Sequence, residues 1–520
     1  MTGGMAVLRK LGAGFCGSLT SALLAAPACC GALPDAPAVI PQRLPPIATV
    51  DARFQSYNIE MIEITGGKFW KPYRSRPGDR ISQSPQSASD TPPGMDSSLY
   101  QYRPPIDLTD MRLRKLAAAL GPAYLRVSGT WANSTYFSDS DHAPPEPPAG
   151  FNGVLTRAQW RAVVDFAQAV GAGITTSFAI SAGSRDAAGS WKPEQASRLV
   201  AFTSSIGGRI AAAEFMNEPD LAAMGGAPAG YDASTYGRDF RIFYAFMKQA
   251  TPDTAILGPG TVGEPAVASD LLAASASGID AVSYHHYGTL SQRCIGASSP
   301  EAALSDDWLS RTDRTLAFYK TLRDRFAPGK PIWLTETAEA ACGGNPWAAS
   351  FLDSFRYLDQ LGRLARAGVQ VVMHNTLAAS DYGLLDETTL TPRPNYWGAL
   401  LWRQLMGTTV LDAGVPIQSG LHVYAHCESA TPGGVALLVI NPDRGAAHAL
   451  MVPAASVRYT LDAADVLDEQ VRLNGRPLTL SADGELPAIT GEATAADTMS
   501  FAPASITFLA LPTAGDSACR

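Results

Sequence analysis

The chain has 520 residues, 46% of them hydrophobic and 17% charged, and a net charge of −8. It is too long for one ordinary domain, long enough for a barrel plus a smaller unit, and apolar enough to bury a large core. The acidic balance excludes a generic polyanion binder, so affinity for an acidic substrate would need a local basic patch. Residues 1–28 read as an export signal: Arg9 and Lys10 start it, 11–24 are apolar and small, and Ala26-Pro27-Ala28 suits cleavage. The apolar stretch is too short for a good membrane span. The expected location is therefore secreted or periplasmic, with a lipoprotein anchor at Cys29 as the alternative. Residues 29–50 form a proline-rich arm.

Between 51 and 406, strand-like runs recur at 54–61, 124–130, 174–181, 211–218, 255–261, 281–287, 331–336 and 369–376. Amphipathic segments at 108–120, 157–170, 236–249, 308–326 and 351–367 lie between them. Eight strands alternating with helices predict an α/β fold, a (β/α)8 TIM barrel. A doubly wound sheet is the alternative, but no GxGxxG stands at a strand–helix junction. The connection 66–105 carries Lys68, Trp70, Lys71, Tyr73, Arg74, Arg76 and Arg80, with Asp79 the one acid among them. A loop after a barrel strand lies on the active-site face, where such residues suit an acidic sugar chain; a solvated charged loop is the plainer reading. From 407 to 520, short runs at 409–411, 422–426, 435–440, 448–452, 457–461, 470–473 and 505–511 are separated by Gly, Pro and Asp. They predict a β-sandwich packed on the barrel, structural in role, with carbohydrate binding as the alternative.

Two glutamates carry the chemistry. Glu218 in Asn217-Glu218-Pro219 and Glu336 in Thr335-Glu336-Thr337 are 118 residues apart, and each closes an apolar run. They fall at the ends of strands four and seven, on the face where a parallel barrel keeps its active site. Retaining glycoside hydrolysis needs two such carboxylates, one protonated to assist the leaving oxygen and one ionised to attack the anomeric carbon. The plainer reading of Glu218 is a buried, salt-bridged acid. His285, His286 and Tyr287 end the sixth strand, where an imidazole or a phenol can orient a carboxylate; a hydrogen-bonded core His–Tyr pair is the alternative. No HExxH, Walker loop or zinc spacing occurs, so neither metal nor cofactor is expected. Cys294, Cys342, Cys427 and Cys519 lie beyond the signal; two disulfides or four buried thiols are both open.

These residues resemble glycoside hydrolase family 79, the heparanase-like branch of the retaining (β/α)8 glycosidases. The likeness runs through Tyr124–Thr130, Asn217-Glu218-Pro219, His285-His286-Tyr287 and Trp333–Thr337. It continues through Val371-Val372-Met373, Asp381–Asp386, Asn395-Tyr396-Trp397 and His422–Cys427. The resemblance implies Glu218 as acid/base and Glu336 as nucleophile. It implies Asn217, Glu60 and Thr130 on sugar hydroxyls, and His285 and Tyr287 beside the nucleophile. Gly343 and Gly344 would offer N–H groups, and Tyr382 a hydroxyl, to a uronic-acid carboxylate; a simple turn is the other reading of the glycine pair. It also implies the disulfides Cys427–Cys519 and Cys294–Cys342. Lys68, Trp70, Lys71, Arg74 and Arg293 are candidates for a further subsite. The implied protein is a single-chain, monomeric endo-β-glucuronidase of glucuronic-acid-containing glycosaminoglycan, heparan sulfate first. It would need no nucleic acid and no obligate protein partner. An exo-acting β-glucuronidase and a non-catalytic glycan-binding protein are the alternatives.

Overall fold

Eight parallel strands close into a barrel in the computed structural model, which describes residues 36–73, 96–263, 265–418 and 420–520. The strands are Gln55–Glu60, Ala123–Ser128, Ala172–Thr176, Ile210–Glu214, Ala255–Thr261, Ala281–Tyr287, Ile332–Ala338 and Val371–His374. The last pairs with the first, Met373 opposite Ser56, so no edge remains. All eight predicted strands are present. The expected export signal and Cys29, as well as Arg74, Arg76, Asp79 and Arg80, lie outside the described residues.

Side chains alternate along each strand, so every second residue faces the bore. One end of the bore is plugged by Tyr124, Ala212, Leu257, Ala281, Trp333, Val371 and Met373. Two residues further along their strands stand Arg126, Glu214 and Ser283, all buried. An apolar floor thus carries a polar layer directly below the barrel mouth. The seventh strand adds an irregularity there: Tyr284 pairs with Leu334, but His285 pairs with Glu336, leaving Thr335 unmatched. Such a bulge re-aims side chains, and here it turns Thr335 and Glu336 toward the same interior.

The helices wrap the barrel by burying one face each. Arg157–Ala169 shows the local logic: Thr156 and Gln159 form a capping box, while Trp160, Val163, Val164, Phe166 and Ala167 face the core. Phe351–Arg366 differs, being buried along almost its whole length. It lies between the barrel and the C-terminal sheet, which packs Tyr424 against Gly362.

That sheet has nine antiparallel strands. Its central members are Met406–Leu411, His422–Glu428, Val435–Asn441, Ser505–Leu511 and Ser456–Asp462. Pro46–Thr49, from the expected arm, adds an edge strand against Met406–Leu411. One face joins the barrel core through Val410, Tyr424, Ala436, Leu438, Ile440, Ile506 and Phe508. The other face is covered by a ribbon of His448–Val452 and Asp497–Phe501, with Val423, Ala425, Leu437 and Leu509 packed on Leu450, Val452, Met499 and Phe501. The second layer of the sandwich is therefore only two strands wide. Cys427 and Cys519 are disulfide-bonded across this region, as are Cys294 and Cys342 at the barrel mouth. No described helix is long and apolar enough to cross a membrane.

Candidate active site

A cavity of about 770 Å³ opens at the C-terminal ends of the barrel strands and contains both predicted carboxylates. Glu336 sits on the seventh strand as expected. The fourth strand ends at Glu214, and Glu218 lies beyond it with φ 45, ψ 67, a left-handed backbone unusual outside glycine. Asn133 holds this turn from both sides: its Nδ2 donates to the Asn217 carbonyl at 2.8 Å and its Oδ1 accepts from Asn217 N–H at 2.9 Å. Strain of this kind persists only where surroundings over-determine it, and it gathers at functional sites.

One buried arginine organises the charges. Arg126 Nη1 donates to Glu336 Oε2 at 2.8 Å and Nε to Glu214 Oε2 at 2.9 Å. Its Nη2 donates to Asn217 Oδ1 at 2.8 Å and lies 3.3 Å from His285 Nε2. A donor on Nε2 leaves the imidazole proton on Nδ1, which faces Glu218 Oε1 at 2.9 Å. Tyr287 donates to the other oxygen of Glu336 at 2.5 Å, and Thr335 donates to Glu214 at 2.8 Å. Ligating atoms of Glu218, His285 and Glu336 lie within 4.8 Å of one another. Those donor atoms are the ones a metal ion would need, and here Arg126 and Tyr287 already occupy them.

The two carboxylates are driven apart in acidity. Burial raises the pKa of Glu218, and the neighbouring charge of Glu336 adds to this, against the His285 hydrogen bond. Burial acts on Glu336 in the same sense, but His285, Arg126 and the Tyr287 hydroxyl outweigh it and hold its pKa below the ordinary value. One group is kept protonated and its neighbour ionised, the division of labour that acid–nucleophile pairs require.

The chain matches the family model "Glycosyl hydrolase family 79, N-terminal domain" over residues 105–362. It is 28% identical to heparanase of Mus musculus over 445 residues, 73% of this chain and 81% of that protein. It is 29% identical to heparanase-like protein 1 of Arabidopsis thaliana over 361 residues, 65% of each. The chain belongs to glycosyl hydrolase family 79. A solved 4-O-α-L-rhamnosyl-β-D-glucuronidase from Fusarium oxysporum shares the fold, with TM-score 0.62 at 14% identity over 90% of this chain and 99% of that one.

The remaining predicted residues divide. Glu60, Trp70, Thr130, Tyr287, Arg293 and Tyr382 line the cavity. Glu60 Oε2 is buried without a partner among the described residues, and its pKa is raised well above the ordinary value by burial and by Glu336. It presses on Gly129, where an added Cβ would come 1.4 Å from that oxygen, so only glycine leaves room. Asn375 Nδ2 donates to Tyr287 and Tyr382 hydroxyls at 3.1 and 3.2 Å, tying the two phenols together. Gly343 and Gly344 have φ 78 and 83 and pack against Trp70, Arg293 and Tyr382. Their carbonyls are held from behind, Gly343 by Ser380 Oγ at 2.9 Å and Gly344 by Arg293 Nη1 at 2.9 Å. Neither N–H has an acceptor among the described residues.

The basic subsite does not take the expected form. Lys68 and Lys71 are absent from the cavity wall, since Lys68 lies in a hairpin of Gly67–Trp70 with Tyr100–Arg103. Arg293 is in the wall, but its guanidinium is already committed. It donates to the Cys342 and Gly344 carbonyls at 3.1 and 2.9 Å and to Lys71 O at 2.6 Å. It also pairs with Asp381 and lies 3.7 Å from the Tyr73 ring centroid. Arg126, Glu214, Asn133, Thr335 and Asn375 were not predicted as site residues. A charged side chain in register with the bore of a barrel strand is the signal that would have found Arg126 and Glu214.

Proposed function

We propose that the protein is a retaining β-D-glucuronidase. The observation that carries this reading is the Glu218–Glu336 pair, within 4.8 Å at their oxygens and shifted in opposite directions in pKa. Retaining enzymes set their carboxyl groups about 5–5.5 Å apart, while inverting ones leave room for a water. Glu336 attacks the anomeric carbon as Glu218 protonates the leaving oxygen. Water then hydrolyses the glycosyl ester, with Glu218 acting as base. Arg126, by accepting the Asn217 carbonyl oxygen as its partner, leaves the amide NH2 for the sugar 2-hydroxyl. Glu60, with its unpaired oxygen, and Thr130 take further hydroxyls. The free N–H groups of Gly343 and Gly344, with the Tyr382 hydroxyl, take the uronate carboxylate, binding charge with fixed dipoles.

Family membership and the relatives named heparanase support a glucuronide-containing polysaccharide as substrate, with heparan sulfate cleaved internally. Two observations favour exo action instead. Phe69, Trp70, Tyr100 and Trp131 cluster into a wall beside Glu60, and no free cation of the described residues faces the cavity to hold sulfate. The two disulfides support export to an oxidising compartment. The test is the product profile of heparan sulfate beside an aryl β-glucuronide, with the anomer followed by NMR. Free glucuronic acid with chain length preserved supports exo action, and an early drop in chain length supports endo action. An α-anomer as first product removes Glu336 from its role as nucleophile.

A further inference from the structure

The side of the cleft next to the acid is apolar beyond anything the two carboxylates require, and the following rests on the reading of Glu218 as acid/base. A general acid must touch the leaving oxygen, so lining residues that continue outward from it border the leaving group. Leu221 and Met224 follow Glu218 in the same turn, and Val262 follows the fifth strand. Asp220 joins these segments, its Oδ2 accepting from Val262 and Gly263 N–H at 3.0 and 2.7 Å. Leu290 and Ile295 complete the rim from beyond the sixth strand.

The exposure of this rim is its telling feature. Leu221 is 39% exposed, Leu290 52% and Ile295 95%. Scattered exposed apolar residues are ordinary, but three on one rim of a catalytic cleft mark a contact surface. Ile295 also has φ 66, a backbone that costs a β-branched residue on the order of 1–3 kcal/mol. The neighbouring Cys294–Cys342 bond and the Gly296 N–H donating to Ser291 O at 2.9 Å hold it there. Charge points the same way. The charged residues lining the cavity are Glu60, Asp96, Glu218, Glu336 and Arg293, and Arg293 is countered by Asp381.

We propose that this rim is the leaving-group subsite and binds the flat apolar face of an aromatic aglycone, in preference to a sulfated sugar. The test compares kcat/KM on biphenyl-4-yl and phenyl β-D-glucuronides, whose leaving phenols have similar acidity. The wild type is expected to prefer the biphenyl substrate by about tenfold, the scale of a modest apolar contact in a pocket. The Leu290→Ser/Ile295→Ser double variant should bring that ratio near one; both side chains are exposed, and an unmoved Tm checks the fold. A wild-type ratio near one, or a ratio that the variant leaves in place, overturns the subsite. The matched aryl β-D-glucosides separate the two readings. If only glucosides are cleaved, the glucuronide reading falls and the same ratio, measured on them, decides the rim. If neither series is cleaved, both fall.

Discussion

Arg126 satisfies Glu214, Glu336, Asn217 and His285 from one guanidinium, and it does so fully buried. Removing it would leave two carboxylates in the bore without their counter-charge. Breaking a buried pair from one side costs about 3–5 kcal/mol. It should also raise the pKa of Glu336, which Arg126 helps to lower. The sign is fixed by the roles. Glu336 must be ionised, so activity disappears as pH falls through its lowered pKa. Glu218 must be protonated in the first step, so activity disappears as pH rises through its raised pKa. The wild type should therefore show a bell between these limbs. Arg126→Gln should move the acid limb to higher pH and cut kcat/KM by about a hundredfold, the scale of losing a preorganised charge at a reaction centre. An unmoved acid limb would show that Arg126 only supports the fold. Glu336→Gln and Glu218→Gln should each nearly abolish turnover of a glycoside with a poor leaving group. Glu218→Gln should retain more activity on an activated aryl glucuronide, because that leaving group needs less proton assistance. Equal losses on both substrates would place Glu218 outside acid catalysis.

Loops after four barrel strands meet at Arg293. It stands beyond the sixth strand, bonds the turn at Cys342 and Gly344 beyond the seventh, pairs with Asp381 beyond the eighth, and reaches Lys71 beyond the first. Its work on these contacts is positional: it fixes the turn whose N–H groups are assigned to the uronate. Arg293→Met should thus raise KM for a glucuronide far more than it lowers kcat, with a smaller effect on the neutral glucoside. Equal effects on both sugars would make the residue merely structural, and Arg293→Lys should recover only part of the loss because one ammonium lacks the planar fork. The sequence gave little warning of this hub, since its partners are mostly backbone carbonyls from distant segments. The barrel strands were legible because each is a short apolar run with clear breaks. The helix Pro265–Ser275 was not, since Ala-Val-Ala-Ser leaves no amphipathic period. Glu336 was legible as a residue, but the bulge at Thr335 that aims it is a register relation between strands, which no local pattern encodes.

The barrel and the C-terminal sheet share one core, and their junction is a buried polar cluster on the helix Phe351–Arg366. Asp359 accepts from the Tyr424 hydroxyl at 2.5 Å, lies 2.6 Å from His422 Nδ1, and receives Arg363 Nε at 2.6 Å. His422 and Tyr424 belong to the sheet, Asp359 and Arg363 to the helix, so these bonds cross between the layers. Burial alone would raise the pKa of Asp359; His422, Arg363 and Tyr424 together lower it. A depressed folded pKa gives a stabilisation that is full above the unfolded value of about 3.9 and is lost as pH falls through the folded one. Acidification should therefore loosen this junction. Asp359→Asn keeps the shape, removes the charge and leaves Arg363 with only Asp313 as its acidic partner. It should cost about 3 kcal/mol at neutral pH, as for a buried pair opened from one side. The measurement is calorimetric unfolding of both proteins at several pH values between 3 and 7. Because the sheet buries one face on the barrel helices, the variant should still melt in one transition, at a lower Tm, with a shallower loss of Tm toward acid than the wild type. Parallel curves of Tm against pH would mean that another carboxylate sets the acid limit. A split into two transitions in the wild type would mean that sheet and barrel are separately stable, and that this cluster joins units that do not depend on each other.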